Sequence, residues 1–119
     1  MSRAGVQMTA GVCMPTMNPE LMNLVADRFK ALADPARLRI LSALRSGERS
    51  VTDLVDETGL GQANASKHLA LLFSLGFVKR RKEGLFTFYA LADKDIFRLC
   101  DIMCGRIDAE TSARRRAVR

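Results

Sequence analysis

Cys100 and Cys104 have the clearest capacity for coordination chemistry in this 119-residue chain. On a helix, a spacing of i, i+4 puts both sulfurs on one face, one turn apart, within reach of a single ion. Thiolates select soft ions: Cu(I), Zn(II), Cd(II) and, by the same logic, the trivalent metalloids As(III) and Sb(III). Two thiolates leave such an ion under-coordinated, and Cys13 is the one other thiol. A trivalent metalloid takes three thiolates with its lone pair outward, which matches this count, so As(III) or Sb(III) is favoured. A tetrahedral Zn(II) or Cd(II) site would need a fourth ligand, such as Asp101 or water. Against this, Ile96, Cys100, Met103 and Ile107 form a heptad-like apolar stripe, and cysteine often serves as a small buried hydrophobe. Two thiols one turn apart in a cysteine-poor chain tip the balance towards ligation. An intrahelical disulfide at this spacing is geometrically poor, because the Cβ vectors do not converge. A thiol redox or sulfide sensor would therefore need Cys13 or an intersubunit partner. The odd cysteine count argues against a disulfide framework. With one histidine, no nucleophile–base spacing and no glycine-rich phosphate loop, no catalytic machinery can be assigned.

The stretch that must carry any second function is Ser50 to Gly76, SVTDLVDETGLGQANASKHLALLFSLG. It is predicted to form a short helix, a tight turn at Gly59 to Gly61 and a longer helix. Ser50 is a good N-cap with Asp53 three residues on, and Gly76 stops the second helix. There Ala65, Leu69, Leu72 and Phe73 make one apolar stripe. The opposite face carries Ala63, Asn64, Lys67, Ala70, Leu71 and Ser74, with one cation and no carboxylate. Such a face can lie against a polyanion and hydrogen-bond base edges, though by itself it equally describes a solvated helix. The following FVKRRKEGLFTFYAL alternates apolar and polar residues, with Lys82, Glu83 and Gly84 as turn material between two strands. Lys79, Arg80, Arg81 and Lys82 place four successive cations beside the hairpin tip. A helix-turn-helix followed by a basic hairpin is the element order of a winged helix. In that arrangement the second helix enters the major groove and the hairpin flanks the phosphate backbone.

Upstream, residues 1 to about 17 form an arm without clear periodicity. Asn18-Pro19-Glu20 starts a first helix whose apolar face is Leu21, Leu24, Val25, Phe29 and Leu32. Asp34-Pro35 restarts the chain for a second helix to about Arg45, with Leu38, Ile40, Leu41 and Leu44 inward. After the hairpin, Asp93 is expected to cap a last helix to roughly Ile107. The domain is thus 18–108, and 109–119 is a basic tail with arginines at 114 to 116. The fold class is mainly α with a β-hairpin: a winged helix-turn-helix of about five helices and a two-stranded wing. The net charge of +6 suits a polyanionic partner. Nothing approaches the run of about 18 apolar residues that a membrane helix needs. The N-terminus also lacks a signal peptide's apolar region, so a cytoplasmic protein is expected.

ALADPARLRILSAL, followed by the turn, ASKHLALL, LGFVKRRKEG and FTFYAL, resembles the ArsR/SmtB family of bacterial metal-responsive repressors over about residues 20 to 108. The resemblance implies a homodimeric repressor that binds palindromic double-stranded DNA and releases it when an inducer binds. It carries Gln62, Ala63, Asn64, Ser66, Lys67 and His68 onto the DNA-facing part of the recognition helix, and the first and last helices onto the dimer surface. It also brings the N-terminal region of one protomer near the last helix of the other, which is how Cys13 would join Cys100 and Cys104. Two inducer sites of the family are missing. The arsenic-type pattern Glu-Leu-Cys-Val-Cys-Asp-Leu reads here as Glu48-Arg49-Ser50-Val51-Thr52-Asp53-Leu54, with Ser50 and Thr52 for both thiols. The zinc-type site needs histidines on the last helix, and His68 is elsewhere; its expected role is structural or phosphate-contacting rather than metal-ligating. Two other functions remain open: a thiol redox or sulfide-responsive repressor of the same fold, and a winged-helix protein-interaction adaptor.

Overall fold

The computed structural model describes residues 18–118. Local capping sets the frame. Asn18 Oδ1 accepts the Leu21 amide at 2.7 Å, starting α1 (Pro19–Leu32) with proline in its first turn. Asp34 Oδ1 accepts the amides of Ala36 and Arg37 at 2.9 and 3.1 Å to start α2 (Pro35–Ala43). The Arg37 amide, outweighing the small desolvation of the carboxyl, holds Asp34 below the usual carboxylate range. A 3₁₀ turn at Leu44–Ser46 closes α2. Ser50 and Asp53 form a reciprocal capping box on α3 (Val51–Thr58). The longer helix of this pair, α4, spans Gln62–Ser74. It ends in a Schellman pattern: Gly76, at φ 82°, donates to Phe73 O at 3.1 Å and Phe77 donates to Leu72 O at 2.9 Å.

The wing is β2 (Val78–Glu83) paired antiparallel with β3 (Phe86–Leu91), in register from Val78 opposite Leu91 to Glu83 opposite Phe86. Lys82 and Glu83 belong to the strand, so the turn is Gly84-Leu85, shorter than expected. Gly84 at φ 62° supplies the left-handed residue that a two-residue hairpin turn demands. The sheet also has a third member: β1 (Arg49–Ser50) pairs with β3, giving the order β1–β3–β2. Two residues carry no periodicity, which is why β1 had no signature in the sequence.

The core gathers Ile40, Leu41 and Leu44 of α2, Leu54 of α3, Leu69 and Leu72 of α4, Val78 and Tyr89 of the sheet, and Ile96 and Phe97. Those last two open α5 (Ile96–Val118), which departs from expectation at both ends. Asp93 Oδ1 accepts the Asp95 amide at 2.8 Å, so it caps the turn before the helix rather than the helix itself. At the other end α5 passes Ile107 and continues to Val118, and the expected tail from Ala109 is helical that far, with Arg114, Arg115 and Arg116 exposed. At 23 residues the helix is about 35 Å long. Ile96 is buried within its own protomer and so is unavailable to a dimer seam. Leu38, expected inward, is 40% exposed; Leu24 and Phe29 of α1 are about half exposed. Among the described residues no helix is long and apolar enough to cross a membrane.

Candidate nucleic-acid interface and thiol groove

Two surfaces stand out, and they lie on different helices. The first is built on α4. Ala65, Leu69 and Leu72 are fully buried, which fixes the rotation of the helix and turns the other side outward. Gln62, Ala63, Asn64, Ser66 and Lys67 are all exposed on it, as are Ala70, Leu71 and Ser74. Gly61 caps the helix without a side-chain hydrogen bond. The amides of the first turn, at the positive end of the helix dipole, are therefore not satisfied by a capping side chain. His68 is set apart from this group. It is half-buried, its Nδ1 lies 3.3 Å from Arg37 Nη1, and Arg37 Nε donates to Ala31 O at 2.7 Å. His68 therefore links α4 to the α1–α2 corner through Arg37.

The four wing cations fare differently from one another. Lys79 and Lys82 are exposed, with no ion-pair partner among the described residues. The Arg80 guanidinium sits 4.0 Å from the centroid of the Phe73 ring, which accounts for the partial exposure of Phe73 at the edge of the α4 stripe. Arg81 is held by carboxylates: Nε and Nη2 meet Glu48 Oε2 and Oε1 at 2.8 Å each, and Nη1 meets Glu83 Oε1 at 2.7 Å. Sequence reasoning missed both Glu48 and Arg37. Each acts across a distance in the chain, through no local pattern.

The second surface runs between α5, α1 and α2. A groove of about 620 Å³ is walled by Phe29, Leu38, Phe97, Ile102, Met103 and Ile107, with Cys100 and Cys104 both on its wall. Ile102 and Met103 are 67% and 61% exposed in the single chain. Cys100 is half-buried, and burial, then the neighbouring Cys104 and Asp101, push its thiol above the usual range. Cys104 is exposed. Arg45 crosses from the end of α2 to meet Asp101 of α5 at 2.9 and 3.3 Å, its guanidinium 4.4 Å from the Phe97 ring centroid. The helix thus brings Cys100 and Cys104 to one wall, as their spacing implies. Cys13 lies outside the described residues. Among the described residues no cluster of three or more histidine, cysteine or acidic side chains could hold a metal ion. One protomer's described residues therefore offer two thiols and leave the remaining donors to come from elsewhere.

The sequence profile described as "Bacterial regulatory protein, arsR family" matches residues 34–80, from the α2 cap into the wing. A probable mercury resistance operon repressor from Streptomyces lividans is 34% identical over 110 residues, covering 92% of this chain and 82% of that protein. The chain belongs to the arsR family. Its members are non-catalytic DNA-binding regulators. Among solved structures, Rv0081 of Mycobacterium tuberculosis superposes with a TM-score of 0.72 at 37% identity, covering 82% of this chain and 97% of that one. A homodimeric winged helix-turn-helix DNA-binding domain from Mycobacterium bovis gives 0.71 at 34% identity, with coverage of 88% and 95%.

Proposed function

We propose that the protein is a homodimeric transcriptional repressor that releases its operator when a soft metal or metalloid ion binds Cys100 and Cys104. Residues 18–108 would carry DNA binding and dimerisation, flanked by the arm 1–17 and the basic segment 109–119. The carrying observation is that both thiols sit in the wall of a large apolar groove that α1, α2 and α5 leave uncovered among the described residues. A second copy laid on that surface would bury it, as fits the homodimeric relative. An ion held there would then act on the seam that sets the distance between two recognition helices. On the DNA side, Gln62, Ala63, Asn64, Ser66 and Lys67 would face base edges and phosphates, with Lys79, Arg80 and Lys82 beside the backbone. The two helices of a dimer, about one DNA turn or ~34 Å apart, would read a palindrome.

The likeness to a mercury repressor supports a thiophilic inducer. As(III) or Sb(III) suits three thiolates if Cys13 completes the set; Cd(II), Zn(II) or Cu(I) suits two thiolates with other donors. When bound, the ion supplies a cross-link between thiolates. The chain's own contribution is to hold the two sulfurs on one helical face and to keep Cys100 a neutral thiol whose proton leaves when the ion binds. The experiment is a titration of apo-protein on its operator with As(III), Sb(III), Cd(II), Zn(II), Cu(I) and Hg(II), repeated with Cys100→Ser and Cys104→Ser. Release by at least one ion, lost in both variants, is the expected result. If both variants respond as the wild type does, the thiols are packing residues and the sensor assignment fails.

A further inference from the structure

Arg81 is chemically unlike the other three wing cations. All three of its guanidinium nitrogens are engaged by carboxylate oxygens, at 2.7 to 2.8 Å, and its Cζ lies 4.6 Å from the Phe88 ring centroid. Every nitrogen of this one guanidinium is therefore committed to a carboxylate, which leaves none free to take up a phosphate. The partner also matters. Glu48 immediately precedes β1, where Arg49 Nε meets Glu57 Oε2 of α3 at 2.8 Å and Nη2 meets Ser46 Oγ at 2.9 Å. Arg81 on β2 thus reaches across β3, over the ring of Phe88, to the segment that is anchored on α3 and starts it through the Ser50 cap.

We propose that Arg81 is a positioning residue, clipping the wing to the β1–α3 segment through Glu48, and that it neutralises no DNA phosphate. The clip fixes the wing's angle against the helix-turn-helix, so Lys79, Arg80 and Lys82 meet the backbone while α4 lies in the groove. A planar fork that meets both oxygens of Glu48 at once, placed over a ring, is what the geometry uses, so lysine cannot substitute even though it keeps the charge. A phosphate contact, by contrast, tolerates lysine.

The inference rests on the DNA-binding assignment of α4 and the wing, and the test separates the two. The probe is a labelled DNA duplex selected by the wild-type protein from a random pool, and the readout is affinity against salt. Each neutralised phosphate contributes about 0.9 to the slope of log affinity on log salt. Lys82→Gln is expected to lower the slope by about that much. Arg81→Gln, Arg81→Lys and Glu48→Gln should weaken binding by similar amounts, up to about five-fold, with the slope unchanged. The Glu48→Gln, Arg81→Gln double variant should be no weaker than either single one. Hydrogen exchange at the wing amides should quicken in each clip variant while the melting temperature holds. A slope lowered by about one in Arg81→Gln would overturn the proposal. So would tighter binding by Glu48→Gln, the result expected if Glu48 merely repelled DNA. If the wild type binds no duplex in a salt-dependent way, the DNA-binding assignment of this surface fails, while unchanged hydrogen exchange in the clip variants would defeat the clip by itself.

Discussion

Helices α4 and α5 both carry an apolar stripe, yet they use it in opposite ways. In α4, Ala65, Leu69 and Leu72 are 0% exposed and Phe73 lies against the Arg80 guanidinium, so most of the stripe is consumed within the protomer, and the outward face is free of carboxylates and, apart from Leu71, small or polar. In α5, the opening residues Ile96 and Phe97 join the core, and the rest of the stripe, Leu99, Ile102, Met103 and Ile107, stays about half exposed or more. A helix whose apolar side is satisfied presents chemistry that suits a polyanion. A helix whose apolar side is unsatisfied presents a surface that suits another protein surface. The division of labour follows from burial, because the two stripes have similar composition.

The contrast breaks most sharply in stability. Leu69→Ala should cost about 2–5 kcal/mol in the urea unfolding of the domain, because the site is closed on all sides. Ile102→Ala should move the unfolding of a protomer by about 0.5 kcal/mol or less. Ile102→Glu, however, should shift sedimentation towards monomer. If Ile102→Glu sedimented unchanged, α5 would not be the seam.

Next in size is the response to ions. Cys100→Ser and Cys104→Ser should bind operator as tightly as wild-type apo-protein, but lose release. A hundred-fold release corresponds to about 2.7 kcal/mol of coupling, within what thiolate ligation can supply. Third, Lys67→Ala on the satisfied helix should weaken operator binding by about 1–3 kcal/mol and relax sequence preference, without altering ion affinity. A footprint identical to wild type would remove α4 from the groove.

The smallest effect is in pH. Burial raises the Cys100 thiol, so at neutral pH it is protonated, and ligation must release its proton. Ion affinity should therefore rise with pH towards the raised pKa and fall as the solution is acidified. Alkylation of the monomeric Ile102→Glu apo-protein should be several-fold slower at Cys100 than at Cys104, which is exposed in the single chain. Equal rates at both thiols would mean that the groove does not shelter Cys100.

Much of this molecule was legible in the chain because it rests on local rules. The caps at Asn18, Asp34 and Ser50, the stop at Gly76 and the buried set on α4 are each written within about four residues of where they act, as hydrogen-bond reach and helical periodicity require. The order of helix, turn, helix and basic hairpin was visible for the same reason, and so was the i, i+4 placement of Cys100 and Cys104. What the tertiary structure decided involves partners far apart in sequence. Glu48 meets Arg81 33 residues away, Arg45 meets Asp101 56 away, and Arg37 meets His68 31 away. Four adjacent wing cations look equivalent in one dimension. The sheet separates them, because pleating sends Arg81 towards Glu48 and Arg80 towards Phe73 on the opposite side. Likewise, periodicity marked the apolar faces of α1 and α5 but could not say whether the chain itself would cover them. Covering is a property of packing, and here the core closes at Ile96 and Phe97 and leaves the apolar residues that follow on α5 uncovered.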